Sequence, residues 1–569
     1  MKTHLKIAAG IALTFFTSMA VNAQTLADGI RLTENEQYNA AKAVFQKLVA
    51  AQPTVGDNYF YFGDLLLKMD NPDSALIVFK RGTEIEPSNP LTHVGLGRAL
   101  CYAGKNEEGL RELSQADALI TAQSGKKGTL TSAQQANILC ELAETYTYMP
   151  SANYDKAIDY TNRAEKLDPN NPLVFLARGD ALMGKDPVNA TPAVECYKRA
   201  AALDPKSARA NVRIGRIYLY GKNPTEALKF YSLAVSAEPN YAPAYAGKGE
   251  SFYQMGKFDS ASANYAKYLA LNPDCYAAYR YAAFLYKSAD YDKAIEQGNK
   301  VIACDSNMVV VIYRIMGRCY LEKKTPDYAK AIVYFDLFFK KQAVATSGPK
   351  VIVDDYIMRG KANSGLKNDS LAIIDFQKAV ALDTSKKDVY FDLGNSYYKM
   401  KKFDQAAVWY RKKYNAEING NLNTRITNLN AFAKALYMNK EYSRSDSAYT
   451  AVIALDSNLT YGWLGRAQSN GKLDNNAEKE LARPYYERYF SIANADSVSQ
   501  KKNSKDLINA SLYLASVNLR AKNYGCAKAY YELAAKLDPA NATAKSGLDD
   551  PNVKSATAAE FATCMMPKK

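Results

Sequence analysis

Apolar and small residues recur along this chain at intervals that a helix gathers onto one face, not at the alternation of a strand. Between Lys206 and Pro273 one pattern is written twice. Gly215, Tyr218, Ala227, Tyr231, Ala234 and Pro239 are answered by Gly249, Phe252, Ala261, Tyr265, Tyr268 and Pro273, each thirty-four residues further on. That is the period of a two-helix solenoid repeat. Each copy predicts a helix, a short turn and a second helix. Gly215 and Gly249 fall mid-way along the first helix, where glycine costs about 1 kcal/mol relative to alanine. Close approach of a neighbour is the packing reason this pattern offers. Ala227 and Ala261 serve the same end on the second helix, with Tyr231 and Tyr265 filling the space beside them. Pro239 and Pro273 stop that helix, because proline cannot continue the hydrogen-bond ladder. One such pair cannot bury its own apolar face, so the copies must stack.

The same order of residues extends over most of the chain. Gly29, Ala41, Phe45 and Pro53 begin it, and Gly63, Ala75, Phe79 and Pro87 repeat it. It returns at Gly179, Ala193, Tyr197 and Pro205, at Gly317, Ala331 and Phe335, at Gly360, Ala372 and Phe376, and at Gly394, Ala406 and Tyr410. A weaker group ends with Tyr524, Ala527, Tyr531, Ala534 and Pro539. The expected total is about fourteen copies. The expected organisation is copies over 24–120, a loop or boundary at 121–135, a central array over 136–414, a polar linker at 415–428 and final copies over 429–545. Residues 546–569 are expected to cap the stack or to form a tail.

Leu-Gly, then Tyr, then Ala, an aromatic, Ala and Pro resembles the tetratricopeptide repeat. The resemblance implies an all-α fold, a right-handed superhelical solenoid of antiparallel helix pairs whose first helices line a concave face. It also implies a scaffold that holds peptides or proteins in that groove. Ala283, Ala433 and Ala515 stand at the glycine slot in three copies and depart from the pattern.

The first residues follow a different rule. Lys2 and Lys6 precede a mostly apolar run from Ile7 to Ala20, and Val21-Asn22-Ala23 forms a small-residue cleavage site. Residues 1–23 are therefore expected to be a secretory signal peptide, which predicts an exported protein, periplasmic or associated with an outer membrane. No cysteine follows the cleavage site, so a lipid anchor there is not expected. The formal charge of +15 falls to +13 once Lys2 and Lys6 are removed. In an exported chain that excess points to acidic protein, anionic glycan or a membrane surface and away from nucleic acid, unless it serves solubility alone.

Candidate chemistry is sparse. His93 is the one histidine beyond the leader, which excludes histidine triads and multi-histidine metal sites. Gly95-Leu96-Gly97 lacks the third glycine and the preceding strand of a dinucleotide fingerprint. No enzyme, cofactor or metal site is expected. The eight cysteines contain no close metal-type pair. Cys275 and Cys304 occupy the start of a first helix and the end of a second, which lie side by side in an antiparallel pair. They are the candidate disulfide, with buried free thiols as the alternative.

By the resemblance and the helical period, the residue after the glycine slot faces the groove. Through the first copies this gives a mixed set: Ile30, Asp64, Arg98, Glu144, Asp180, Arg216 and Glu250. It continues with Phe284, Arg318, Lys361, Asn395, Lys434 and Arg466, with Arg280 and Arg314 one turn earlier and Tyr398 and Tyr437 one turn later. The second half of the groove thus reads as basic and aromatic, suited to an acidic or carboxylate-bearing protein segment. The competing expectation is a structural spacer or assembly factor that contacts partners through its convex face or termini.

Overall fold

A computed structural model of the chain describes residues 25–124, 130–304, 310–344 and 350–565. Residues 1–23, expected to be a signal peptide, lie outside these. The described residues form thirty-one helices and no strand. Consecutive helices are antiparallel partners, giving eight pairs before residue 305 and six after residue 309. The chain divides into two compact units between Val309 and Val310.

Local chemistry starts and stops each helix where the repeat requires. Asn71, Asn89, Asn171 and Asn223 each accept a backbone N–H at a helix start, with proline at the first helical position, where its missing donor costs nothing. Second helices end just before the repeat proline: Tyr154–Leu167 before Pro169, and Phe258–Leu271 before Pro273.

The glycine slot has a specific occupant. A Cβ added to Gly360 would lie 2.6 Å from the Phe376 ring, and one on Gly394 would lie 2.6 Å from Tyr410. The same ring is met again from the next pair: Phe79 covers both Gly63 and Gly95, and Tyr231 covers both Gly215 and Gly247. An aromatic ring of the second helix therefore stands between two helices that carry no side chain at that point. Where Ala433 or Ala515 fills the slot, Tyr449 and Tyr531 lean on Gly465 and Gly547 of the following helix instead. In the eighth pair the slot belongs to Ala282, which is fully buried, and not to Ala283. Gly298 stands where a ring is expected, and Phe284 turns inward against Tyr265, with ring centroids 4.3 Å apart.

Two boundaries differ from the sequence expectation. The polar stretch 415–428 is not a linker, because helices Phe403–Ala416 and Leu422–Met438 occupy most of it. Asn421 caps the second of these, and Ile426 and Leu429 are buried one turn apart beneath the polar residues. Helices Asn106–Gln123 and Ser132–Tyr148 likewise enter 121–135 from both sides. The tail caps the stack. Helices Ala542–Leu548, Pro551–Ser555 and Phe561–Cys564 fold back on Tyr524–Leu537, with the Ala559 N–H donating to the Gly525 carbonyl at 3.1 Å. Phe561 packs against Phe490 and Tyr530.

Two disulfides fasten these arrangements. Cys275 and Cys304 are bridged with Cα atoms 5.9 Å apart, as their places in an antiparallel pair predict. Cys526–Cys564 holds the cap to the last pair, Cα atoms 5.4 Å apart; sequence spacing alone did not single it out. Cys101, Cys140 and Cys196 are thiols, each pushed above the ordinary thiol range by burial.

In the first unit the turn after helix Leu26–Glu34 reaches distant pairs. Glu34 pairs with Arg209 at 2.7 Å, Tyr268 donates to Glu36 at 2.8 Å, and the Gln37 amide donates to the Leu271 carbonyl at 2.8 Å. Asn35 adds a 3.4 Å contact with Glu238.

Gly360→Ala is expected to lower stability by about 1–3 kcal/mol through overpacking against Phe376, read as a shift in urea midpoint. Gly471→Ala, whose added methyl meets only the Ala482 Cβ at 3.8 Å, should give no loss. Cys526→Ser is expected to expose residues 551–565 to limited proteolysis while leaving the earlier pairs resistant; an unchanged digestion pattern would show that the cap holds without its bridge.

Candidate protein-binding surfaces

Within each unit most first helices touch the first helix of a neighbouring pair, whereas second helices make at most marginal contact with one another. The first helices therefore line the tighter, inner face, and the groove residues read from the sequence lie on them.

On the inner face of the first unit the charges satisfy each other. Asp64 is bonded to Arg98 and lies 2.8 Å from Lys68. Arg98 also donates to Glu141 at 2.9 Å and to the Thr145 hydroxyl at 3.0 Å. Arg213 grips Asp180 through two nitrogens at 2.8 and 2.9 Å, and Tyr197 donates to the same carboxylate at 2.7 Å. Arg280 is bonded to Glu250 and stacks over Phe284 at 5.3 Å. Asp64, Arg98, Asp180 and Glu250 of the mixed set are thus rungs between successive repeats, whereas Arg216 is exposed without an ion pair. His93 is packed, held between Glu112 at 2.7 Å and the Pro87 carbonyl at 2.9 Å.

Burial opposes ionisation of Asp64, but Lys68 and Arg98 hold its carboxyl below the usual range. For Glu141, burial and the adjacent Glu144 prevail over Arg98 and push it up to about 7. Burial also raises Glu36, against the hydrogen bond from Tyr268 and the charge of Arg216.

The second unit differs. Residues 24–309 carry 31 Lys and Arg against 32 Asp and Glu; residues 310–569 carry 40 against 26. The chain's positive excess therefore resides in the second unit. Arg314 and Arg318 share a single fully buried carboxylate, Asp355, at 2.8 and 3.4 Å. Arg314 also donates to the Lys350 carbonyl at 2.9 Å and lies 4.5 Å over Phe338. The Nε atoms of both arginines are buried without a partner. Arg466 is committed to Asp446 at 2.8 Å and to the Tyr485 hydroxyl at 2.8 Å. Asn395 accepts from Tyr410 at 2.7 Å.

Four of the predicted groove residues remain presented. Lys361 and Lys434 are exposed and make no ion pair; Tyr398 and Tyr437 are half-buried. Lys434 lies 5.7 Å over the Tyr398 ring, and Tyr398 and Tyr437 both neighbour Tyr449, whose hydroxyl is raised first by burial and then by these two. The structure thus gathers Tyr398, Lys434 and Tyr437 into one basic, aromatic surface, with Lys361 nearer Asp388 and Asp392. The pairing of the arginines was the part sequence reasoning missed. Its signal was an acid and an arginine about one repeat apart, as in Asp64 and Arg98.

The family profile described as "Tetratricopeptide repeat" matches residues 191–243 and 247–308, and a second profile of that description matches 388–412. Those stretches are tetratricopeptide repeats, and the helix pairs around them share the same antiparallel arrangement. It is 26% identical over 277 residues to anaphase-promoting complex subunit 6 of Arabidopsis thaliana, covering 47% of this chain and 48% of that one. A small glutamine-rich tetratricopeptide repeat-containing protein of Mycosarcoma maydis is 28% identical over 122 residues, 21% of this chain and 34% of its own length. The chain thus spans half or less of these relatives. The crystal structure of the C-terminal part of a TPR repeat-containing protein from Cytophaga hutchinsonii is 30% identical, covering 48% of this chain and 99% of that chain, with a TM-score of 0.41. Tetratricopeptide-repeat proteins bind other proteins or peptides.

A carboxyl whose folded pKa is raised binds its proton more tightly in the folded chain. Stability from Glu36 and Glu141 is then fullest below the ordinary glutamate pKa and is lost as pH rises through the folded value. The urea midpoint of the wild-type chain is expected to fall between about pH 5 and pH 7.5. Glu141→Gln should fall less over that window; an identical slope in the variant would remove Glu141 as a cause.

Proposed function

We propose that this chain is an exported, non-catalytic scaffold of the cell envelope, periplasmic or associated with an outer membrane. The inner face of its second unit holds an acidic or carboxylate-bearing protein segment. One observation carries the reading: the chain's positive excess is concentrated in that unit, and there Lys434 stands exposed without an ion pair beside Tyr398 and Tyr437, with Lys361 also exposed and without an ion pair but nearer Asp388 and Asp392. Lysines of this kind suit carboxylates presented on an extended segment, and the adjoining rings offer its aliphatic stems a packing surface. The two disulfides favour an oxidising compartment, in keeping with the leader-like residues 1–23.

Arg314, Arg318 and Arg466 shape this face more than they present it. Reversing Arg314 would set a carboxylate beside buried Asp355, so loss of binding in such a variant would report loss of local structure. A second reading, a structural spacer or assembly factor that uses its convex face or termini, is favoured by the ordered C-terminal cap, which the Cys526–Cys564 bridge holds on the last pair.

The deciding measurement is fluorescence anisotropy with a labelled glutamate-rich peptide. Lys361→Glu combined with Lys434→Glu is expected to weaken binding by about tenfold or more, equal to about 1.4 kcal/mol, with unchanged helical circular dichroism. Unaltered affinity would leave the spacer reading standing.

A further inference from the structure

The outer face carries a pattern that the groove does not use. On each second helix, the residue two positions past the small-residue slot points outward. In the first unit this residue is exposed and charged in five pairs: Arg111, Asp159, Glu195, Lys229 and Glu296. In three consecutive pairs of the second unit it is a branched aliphatic. Val333, Ile374 and Val408 follow Ala331, Ala372 and Ala406, and are 55%, 61% and 53% exposed. Leu371, one turn before Ile374, is exposed as well. Ile77 is the comparable residue in the first unit, but Ala43 and Arg111 flank it in the neighbouring pairs.

Lysines accompany these side chains. Lys330 precedes the slot on helix Tyr328–Val344. Lys378 on Asp369–Leu382 and Lys412 on Phe403–Ala416 lie four residues past the aliphatic, one helical turn along the same face. All three are exposed. Of the exposed carboxylates on these helices, Asp336 is engaged by Arg359 at 2.9 Å and Asp404 lies at the start of its helix.

We infer that Val333, Ile374 and Val408, with Lys330, Lys378 and Lys412, form a docking face for an anionic lipid surface. Three observations select this occupant. The second helices of this unit make at most marginal contact with one another, so the aliphatic side chains stand apart. A protein partner would need a contiguous apolar patch to pack, whereas separate aliphatics can each enter the headgroup boundary. Lysines beside every aliphatic repel a second copy of the same face and attract anionic headgroups. No described helix is long and apolar enough to cross a membrane, so the contact is peripheral. The inference deepens the envelope reading and rests on it only for bringing such a surface within reach.

Flotation of the full oxidised chain with vesicles of phosphatidylglycerol and phosphatidylethanolamine tests it, against vesicles of phosphatidylcholine alone. The chain is expected to float with the anionic vesicles and remain behind with the zwitterionic ones. Val333→Ser, Ile374→Ser and Val408→Ser together should reduce the floated fraction about fivefold or more, as should Lys378→Glu with Lys412→Glu. Leu233→Ser, at a comparably exposed position in the first unit, and Lys434→Glu, on the inner face, should float as wild type. Loss of flotation with Lys434→Glu would assign lipid binding to the groove and overturn the inference. So would equal flotation on both vesicle types, undiminished flotation of the triple variant, or a wild-type chain that stays with neither vesicle. Failure of peptide binding with flotation intact would overturn the groove reading alone.

Discussion

The array depends on an aromatic ring seated against bare backbone. In most pairs a ring of the second helix fills the space left by a glycine on its own first helix, and often by another glycine on the next. Both partners are needed: a methyl at the glycine would collide with the ring, and a smaller side chain at the ring would leave a void that tight interiors do not tolerate. Because one ring touches two successive first helices, it fixes spacing within a pair and between pairs at once. That helps account for the abundance of tyrosine in a chain with 43 of them and two tryptophans. A phenol fills the slot while its hydroxyl reaches toward the inner face, as Tyr197 does to Asp180 and Tyr410 to Asn395.

The two units dispose of charge differently on one scaffold. In the first, acid and base from neighbouring repeats are matched, and the inner face is largely self-satisfied. Such pairs contribute little net stability compared with well-packed apolar residues, but they fix the register of first helices and leave fewer charges for a partner. In the second, Arg314 and Arg318 divide one carboxylate, lysines go unmatched, and the outer aliphatic positions lose their charges. The core residues of the repeat recur in most pairs of both units; the exposed positions differ more between them.

Most of the fold was legible because its determinants are periodic. A glycine, a ring and an alanine at fixed offsets announce a helix pair wherever they fall, so the number of pairs and the Cys275–Cys304 bridge followed from position in the repeat. The polar stretch 415–428 misled because Ile426 and Leu429 carry the helix alone among asparagines and threonines, and two buried residues are too few to set a period. The cap was harder still, since Cys526 and Cys564 bridge a repeat to a segment outside the pattern. For the groove, helical period put the right residues on the inner face but could not tell which arginines were engaged. Asp355 accepts from both Arg314 and Arg318 through a contact between pairs, and a one-dimensional reading of either helix does not contain it.

Repeat arrays usually unravel from their ends, since a terminal repeat has one neighbour and the next has two. The N-terminal turn of the first unit escapes this. Glu34, Glu36 and Gln37 are fastened to Arg209, Tyr268 and Leu271, some two hundred residues along the chain. The first pair cannot peel away without releasing the sixth and seventh, so opening must be concerted rather than sequential. What would otherwise be an extensible coil with a loose end behaves over this stretch as a closed hoop.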